Sequence, residues 1–213
     1  MTSREERLRA ILEPTTTAVL TMELQNGVVG EGALMGALVE ELKELGTLDA
    51  ARRLCAGARD AGARVVHCTA VARPDGAGST ENCKIFALSA RARRERGSTA
   101  TDIGSPGAEV IDGLQDPRDI VVPRLHGMTP FTSTALDQIL RNLGIRTVIA
   151  TGVSLNLGVF GMALSALDLG YQVVIPTDAV AGVPREYAEA VLEHSLSLIA
   201  TLTTCDEVLA LWT

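Results

Sequence analysis

Short apolar runs alternate with amphipathic stretches along most of the chain. Thr17–Met22, Arg64–Thr69, Asp119–Val122, Arg146–Thr151 and Tyr171–Ile175 are brief runs rich in Val, Ile, Ala and Thr, and Ser197–Thr203 is a sixth. Runs of this kind predict strands buried on both faces. Between them, Leu48–Ala61, Thr134–Leu143, Leu157–Leu169, Pro184–Leu196 and Asp206–Leu211 carry helical spacing, and Gly62, Gly144 and Gly170 stand where the first three of these must stop. Strands alternating with helices predict right-handed crossovers and hence the α/β class. The expected architecture is three-layered: a six-stranded, mostly parallel sheet of Rossmann-like topology with helices on both faces. No repeat, linker or low-complexity tract interrupts the pattern, so residues 1–213 read as a single domain.

The least regular stretch is Val71–Pro106, with four glycines around a helical segment at Asn82–Arg96. A long excursion between two strands reads as a lid or an oligomer contact. It holds the main basic cluster, Arg91, Arg93, Arg94 and Arg96, which reads as a solvated helix face or subunit interface in preference to an anion trap.

Composition narrows the function. The 213 residues are 46% hydrophobic but only 3% aromatic, so the core is aliphatic and intrinsic disorder is excluded. A net charge of −7 argues against nucleic acid. No apolar run is long enough to span a membrane, and the first residues lack the apolar segment of a secretory signal, so the expected location is the cytoplasm without membrane association. Cys55, Cys68, Cys83 and Cys205 are widely spaced, which suggests neither disulfides nor zinc.

In an open parallel sheet, ligands bind beyond the carboxyl ends of the strands. The residues expected there are Glu23, Gln25 and Asn26 after the first strand, His67, Cys68 and Thr69 closing the second, Arg124 and His126 after the third, Gly152–Gly158 with Ser154 and Asn156 after the fourth, and Thr177 and Asp178 after the fifth. An acid, a guanidinium, histidines and a glycine-bearing turn at a helix start describe a small-molecule site. The turn is neither a phosphate-binding P-loop nor a dinucleotide fingerprint, because Val159 follows Gly158 where a P-loop needs Lys. Its backbone N–H groups suit a carboxylate or oxyanion. His67 and Asp178 read as a hydrogen-bonded core residue and a turn cap.

At these residues the chain resembles the isochorismatase-like hydrolase superfamily over about Thr17–Thr204. Met22-Glu-Leu-Gln-Asn26 is similar to the family's Asp-x-Gln-Asn with Glu for Asp, Val121-Val-Pro-Arg124 places Arg where the family has Lys, and Thr129-Pro-Phe131 through Leu136 follows its next segment. Gly152-Val-Ser-Leu-Asn-Leu-Gly-Val159 is similar to the segment that carries the family's nucleophilic cysteine, with Gly158 in the cysteine position. The resemblance implies Glu23 and Arg124 as catalytic residues, with Gln25, His126, Phe131, Ser154 and Asn156 toward the substrate. It implies a homo-oligomer, dimer or tetramer. No cofactor is expected, and no metal, since Val71–Gly78 lacks the histidines of the family's metal-dependent members.

Glycine is no nucleophile, so ordinary thiol amidase chemistry is excluded at 158. Isochorismatases of the superfamily also dispense with the cysteine, some with Gly in its place, and hydrolyse a vinyl ether by protonating its methylene. That chemistry needs an acid and cations for carboxylates, roles open to Glu23 and Arg124. Gly158 is expected to leave room for a bulkier ligand. The expected function is hydrolysis of a small carboxylated metabolite by Glu-based acid/base chemistry; the alternatives are an inactive relative that serves as a binding or interaction protein, and an amidase with its nucleophile moved to Cys68 or Ser154.

Overall fold

A computed structural model describes residues 3–31, 33 and 35–213. Six strands, β1 (Thr17–Met22), β2 (Arg64–Ala70), β3 (Ile120–Arg124), β4 (Thr147–Gly152), β5 (Gln172–Pro176) and β6 (Thr201–Thr203), form one sheet in the order β3-β2-β1-β4-β5-β6. Every pairing is parallel. The order reverses between β1 and β4, so the crevice beyond their carboxyl ends is where a ligand site belongs.

Alternation along β1 divides the core. Val19, with Val65, Ile149 and Val174, faces one layer; Ala18, Leu20 and Met22, with Val66, Cys68, Val148 and Ala150, face the other. The first layer consists of α1 (Arg4–Ile11), α2 (Asn26–Val29), α3 (Gly36–Leu45), α4 (Thr47–Ala61) and a C-terminal helix, α10 (Cys205–Trp212). The second holds α6 (Leu136–Asn142), α7 (Phe160–Asp168) and α8 (Arg185–Val191), the last continuing through a wide π turn into α9 (Ser197–Ile199). Outside both lies α5 (Lys84–Arg96), which buries none of its residues.

Several boundaries differ from the sequence expectation for physical reasons. β3 runs on through Pro123, which faces Thr69 on an edge strand, where a missing N–H is tolerated. Ser197–Thr203 is not one strand: Ala200 donates its N–H to Leu196 O at 2.8 Å, so the helix persists to Ile199 and only Thr201–Thr203 pairs with β5. Helices α1, α2 and α3 were not expected; α1 begins on a capping box in which Ser3 Oγ accepts from Glu6 N and Glu6 returns the bond.

On the first face, His67 of β2 lies in a buried network. The Thr21 hydroxyl and His67 Nδ1 are 2.8 Å apart, His67 Nε2 and Asp119 Oδ2 are 2.9 Å apart, and Arg59 of α4 donates to both Asp119 oxygens. Burial, ahead of every other influence, holds His67 below the ordinary imidazole value, so it is neutral at pH 7 and donates from Nε2 to the carboxylate. It is a core histidine, as its place on a buried strand implies.

Candidate active site

β1 and β3 are separated by β2, yet their carboxyl ends are joined by one ion pair: Arg124 Nη2 donates to Glu23 Oε1. Arg124 is 3% exposed and the Glu23 side chain 21%, so the pair sits at the base of the crevice and not on open surface. Arg124 Nε donates to Gly127 O at 2.6 Å, which fixes the guanidinium plane and closes the turn that carries His126.

The geometry depends on an unusual backbone. Consecutive strand residues point to opposite faces. Met22 and Glu23 nevertheless both reach Arg124, for Met22 Sδ lies 3.9 Å from Nη1. Glu23 makes this possible by adopting φ +52°, the one positive φ outside glycine among the described residues. A side chain in that region costs about 1–2 kcal/mol, and such outliers concentrate at functional sites. Bonds from Glu23 N to Cys68 O (3.0 Å) and from Gln25 N to Glu23 O (2.8 Å) hold it there.

β4 delivers the third component. Gly152, at φ +100°, passes so close to β1 that a Cβ would lie 2.3 Å from Met22 O, and only glycine fits. The chain then enters a π turn, Leu155–Val159, ahead of α7. The turn is less open to an anion than its sequence suggests. Leu155 N donates to Ala181 O, and Leu157 N and Val159 N both donate to Ser154 O. The Ser154 hydroxyl donates to Asn156 Oδ1, so these two side chains close on one another.

Position 158 is not the vacancy expected from its glycine. A Cβ there would lie 3.0 Å from Met22 Cε, 3.2 Å from Met22 Cγ and 3.0 Å from Val153 O. The Met22 thioether has taken the space, and the room predicted for a bulkier ligand is absent. Met22 escaped the sequence reading because a methionine ending an apolar strand looks like core; only its neighbours identify it as part of the site.

A match to the isochorismatase domain spans residues 17–207, nearly the whole of this frame. The chain belongs to the isochorismatase family. Its relatives include the ureidoacrylate amidohydrolase RutB of Pseudomonas syringae pv. syringae, 29% identical over 195 residues that cover 88% of this chain and 78% of that protein. An isochorismatase family protein from Desulfovibrio vulgaris superposes with a TM-score of 0.77 at 26% identity, covering 92% of this chain and 98% of that one. N-carbamoylsarcosine amidase from Thermoplasma acidophilum gives 0.68 at 26% identity, covering 90% and 97%.

Within this isochorismatase-family frame, other expected site residues serve the scaffold. Gln25 is fully buried; its amide nitrogen donates to Ala70 O (3.0 Å) and Ala108 O (2.8 Å), and its oxygen accepts from Ala70 N (2.7 Å). It braces the end of β2 and the segment at Ala108. Phe131 is buried against Tyr171, ring centroids 5.9 Å apart, and is likewise core. The His126 ring packs against Phe86 of α5, centroids 4.7 Å apart and planes tilted by 42°, and ties the excursion to the turn after β3. Asp178 Oδ1 accepts from Cys205 N at 2.9 Å, so it caps α10 and not the turn that follows it.

Cys68 is unsuited to be a relocated nucleophile: it is fully buried, and burial pushes its thiol up to about 12. The excursion's arginines are largely spoken for. Arg91 pairs with Glu95 within α5, Arg94 with Glu81 just before it and Arg93 with Asp102 beyond it; the first two pairs are solvated, whereas Arg93–Asp102 is largely buried. Among the described residues, no three His, Cys, Asp or Glu side chains gather as a metal site, and no helix is long and apolar enough to cross a membrane. A depression of about 450 Å³, lined by α1 residues with Gln172 and Thr201, lies at the amino-terminal edge of the sheet, remote from Glu23 and Arg124.

Proposed function

We propose that this isochorismatase-family protein hydrolyses a small carboxylated metabolite without a covalent thiol step, using Glu23 as proton donor and acceptor and Arg124 as the carboxylate-binding cation. The observation that carries this reading is the pair of a half-buried Glu23 with a buried Arg124 at the carboxyl edge, held by a positive-φ backbone beside a position that has no side chain. Arg124 presents a planar fork that binds a carboxylate in two-point fashion, which the lysine of the resembling family does not. A substrate carboxylate that takes up the guanidinium sets two anions against one cation, the arrangement in which a carboxyl group retains a proton. For an enol ether, Glu23 passes that proton to the terminal methylene, water adds to the oxocarbenium carbon, and the hemiketal collapses to a ketone and an alcohol. The RutB relatives are named as amidohydrolases of ureidoacrylate, itself a small carboxylate, which supports the substrate class.

The test is turnover of two substrate types by wild type and Glu23→Gln: pyruvate release from isochorismate and ammonia release from N-carbamoyl acids. The expected result is turnover of an enol ether that falls by about 10²-fold or more in Glu23→Gln. Full turnover by Glu23→Gln removes Glu23 from the chemistry.

A second reading is favoured by one observation: the ion pair is closed on itself, with Arg124 3% exposed. A protein that keeps the pocket only to bind would turn over neither substrate, yet show a thermal shift with small carboxylates that disappears in Arg124→Ala.

A further inference from the structure

One side chain touches both halves of the site. Met22 is fully buried at the last position of β1, with Sδ 3.9 Å from Arg124 Nη1 and Cε 3.0 Å from where a Cβ on Gly158 would stand. Among the described residues, Nη1 is directed at this thioether, whereas Nη2 and Nε hold oxygen acceptors. The same three side-chain atoms therefore occupy the volume over residue 158 and border the guanidinium.

We propose that Met22 is a specificity-determining residue of this site: its thioether fills the seat that a side chain at 158 needs, and so restricts the site to chemistry that takes no covalent nucleophile from that position. Residues 22 and 158 are a coupled pair. A side chain at 158 meets Met22 Cε and Cγ on one side and Val153 O at 3.0 Å on the other, and shortening residue 22 relieves the first of these contacts. This role rests on Glu23 and Arg124 as the reacting centre, but its consequences are steric and can be read without any substrate.

The experiment is a double-mutant cycle of Met22→Ala and Gly158→Cys in a Cys83→Ser background, which removes the exposed thiol. Each protein is melted, and its thiols are alkylated with iodoacetamide at pH 7 and counted by intact mass; the thiolate displaces iodide to form a carbon–sulfur bond. Gly158→Cys alone is expected to melt lower and to alkylate slowly. Adding Met22→Ala is expected to recover the melt by more than the two single effects predict. The introduced thiol then alkylates about tenfold faster at pH 7 than in Gly158→Cys alone, because the thioether no longer covers it. Additive melts, or equal alkylation rates with and without Met22→Ala, would overturn the proposal. If Gly158→Cys does not fold alone, its rescue by Met22→Ala supports the coupling. If neither thiol variant folds, Gly158→Ala is melted with and without Met22→Ala, and additivity there overturns it. None of these readouts depends on turnover.

Discussion

The amide of Gln25 joins two segments that no strand pairing connects, the end of β2 at Ala70 and the loop at Ala108. Removing it orphans buried backbone groups, each at about 1–3 kcal/mol. Gln25→Ala is therefore expected to lower stability by about 3 kcal/mol in urea unfolding; a loss under about 1 kcal/mol would mean that water replaces the amide and that the brace is weak. Gln25 also shows where residue-level reading of the sequence succeeds and fails. Glu23 and Arg124 were legible because charged residues at the ends of apolar strands have few destinations other than the rim. Gln25 and Phe131 stand equally near the rim in sequence, but burial and partners, which are long-range facts, turn them inward. Met22 was illegible for the opposite reason: nothing local distinguishes a core methionine from one that fills a site. The φ of Glu23 is equally silent in the sequence, since glutamate gives no sign of left-handed backbone.

Elements were legible where their signals are local. β1, β2, β4 and β5 follow their apolar runs to within about a residue, and Gly62, at φ +86°, ends α4 where the spacing demands. The fits loosen where tertiary contacts decide. The π turn before α7 is set by Leu155 bonding across to Ala181, a residue beyond β5. The excursion after β2 shows the same principle. α5 buries none of its own residues, and its attachment runs through Arg93, which donates to Asp102 Oδ1 (2.5 Å) and to Pro74 O (2.6 Å). Thr99 completes the clasp by donating its hydroxyl to the same carboxylate. Arg93→Ala is expected to raise amide hydrogen exchange over residues 72–103 by about tenfold or more while leaving β1 and β4 protected. Unchanged exchange over the excursion would transfer its anchoring to the Phe86–His126 contact.

At the scale of the molecule, the buried network at His67 and Asp119 couples the fold to pH. Burial pushes His67 down by more than Asp119 raises it; burial pushes Asp119 up, but the Arg59 and His67 hydrogen bonds outweigh this and keep the carboxyl below its usual range. Both groups thus bind protons less readily folded than unfolded, so their contribution is present at neutral pH and is lost on acidification. The His67 part begins to fade as pH falls through about 6.5, and the Asp119 part below about 3.9. The midpoint of urea unfolding should decline between pH 7 and 5, with a slope from His67 of at most about 1.4 kcal/mol per pH unit that His67→Gln abolishes. An identical slope in the variant would locate the pH sensitivity elsewhere.

The strand order has a consequence for the chain as it is made. β1 lies at the centre of the sheet, buried along its whole length, yet it is made before the other five strands, and its neighbour β4 follows 130 residues later, counted from Thr17 to Thr147. At synthesis rates of about 5–20 residues per second, Thr17–Met22 spends several seconds or more with one flank unpaired. An apolar, uncharged strand in that condition is a template for its counterparts on neighbouring nascent chains. The same arrangement that places Glu23 at the crevice thus leaves β1 the longest without its partner while the six strands are made.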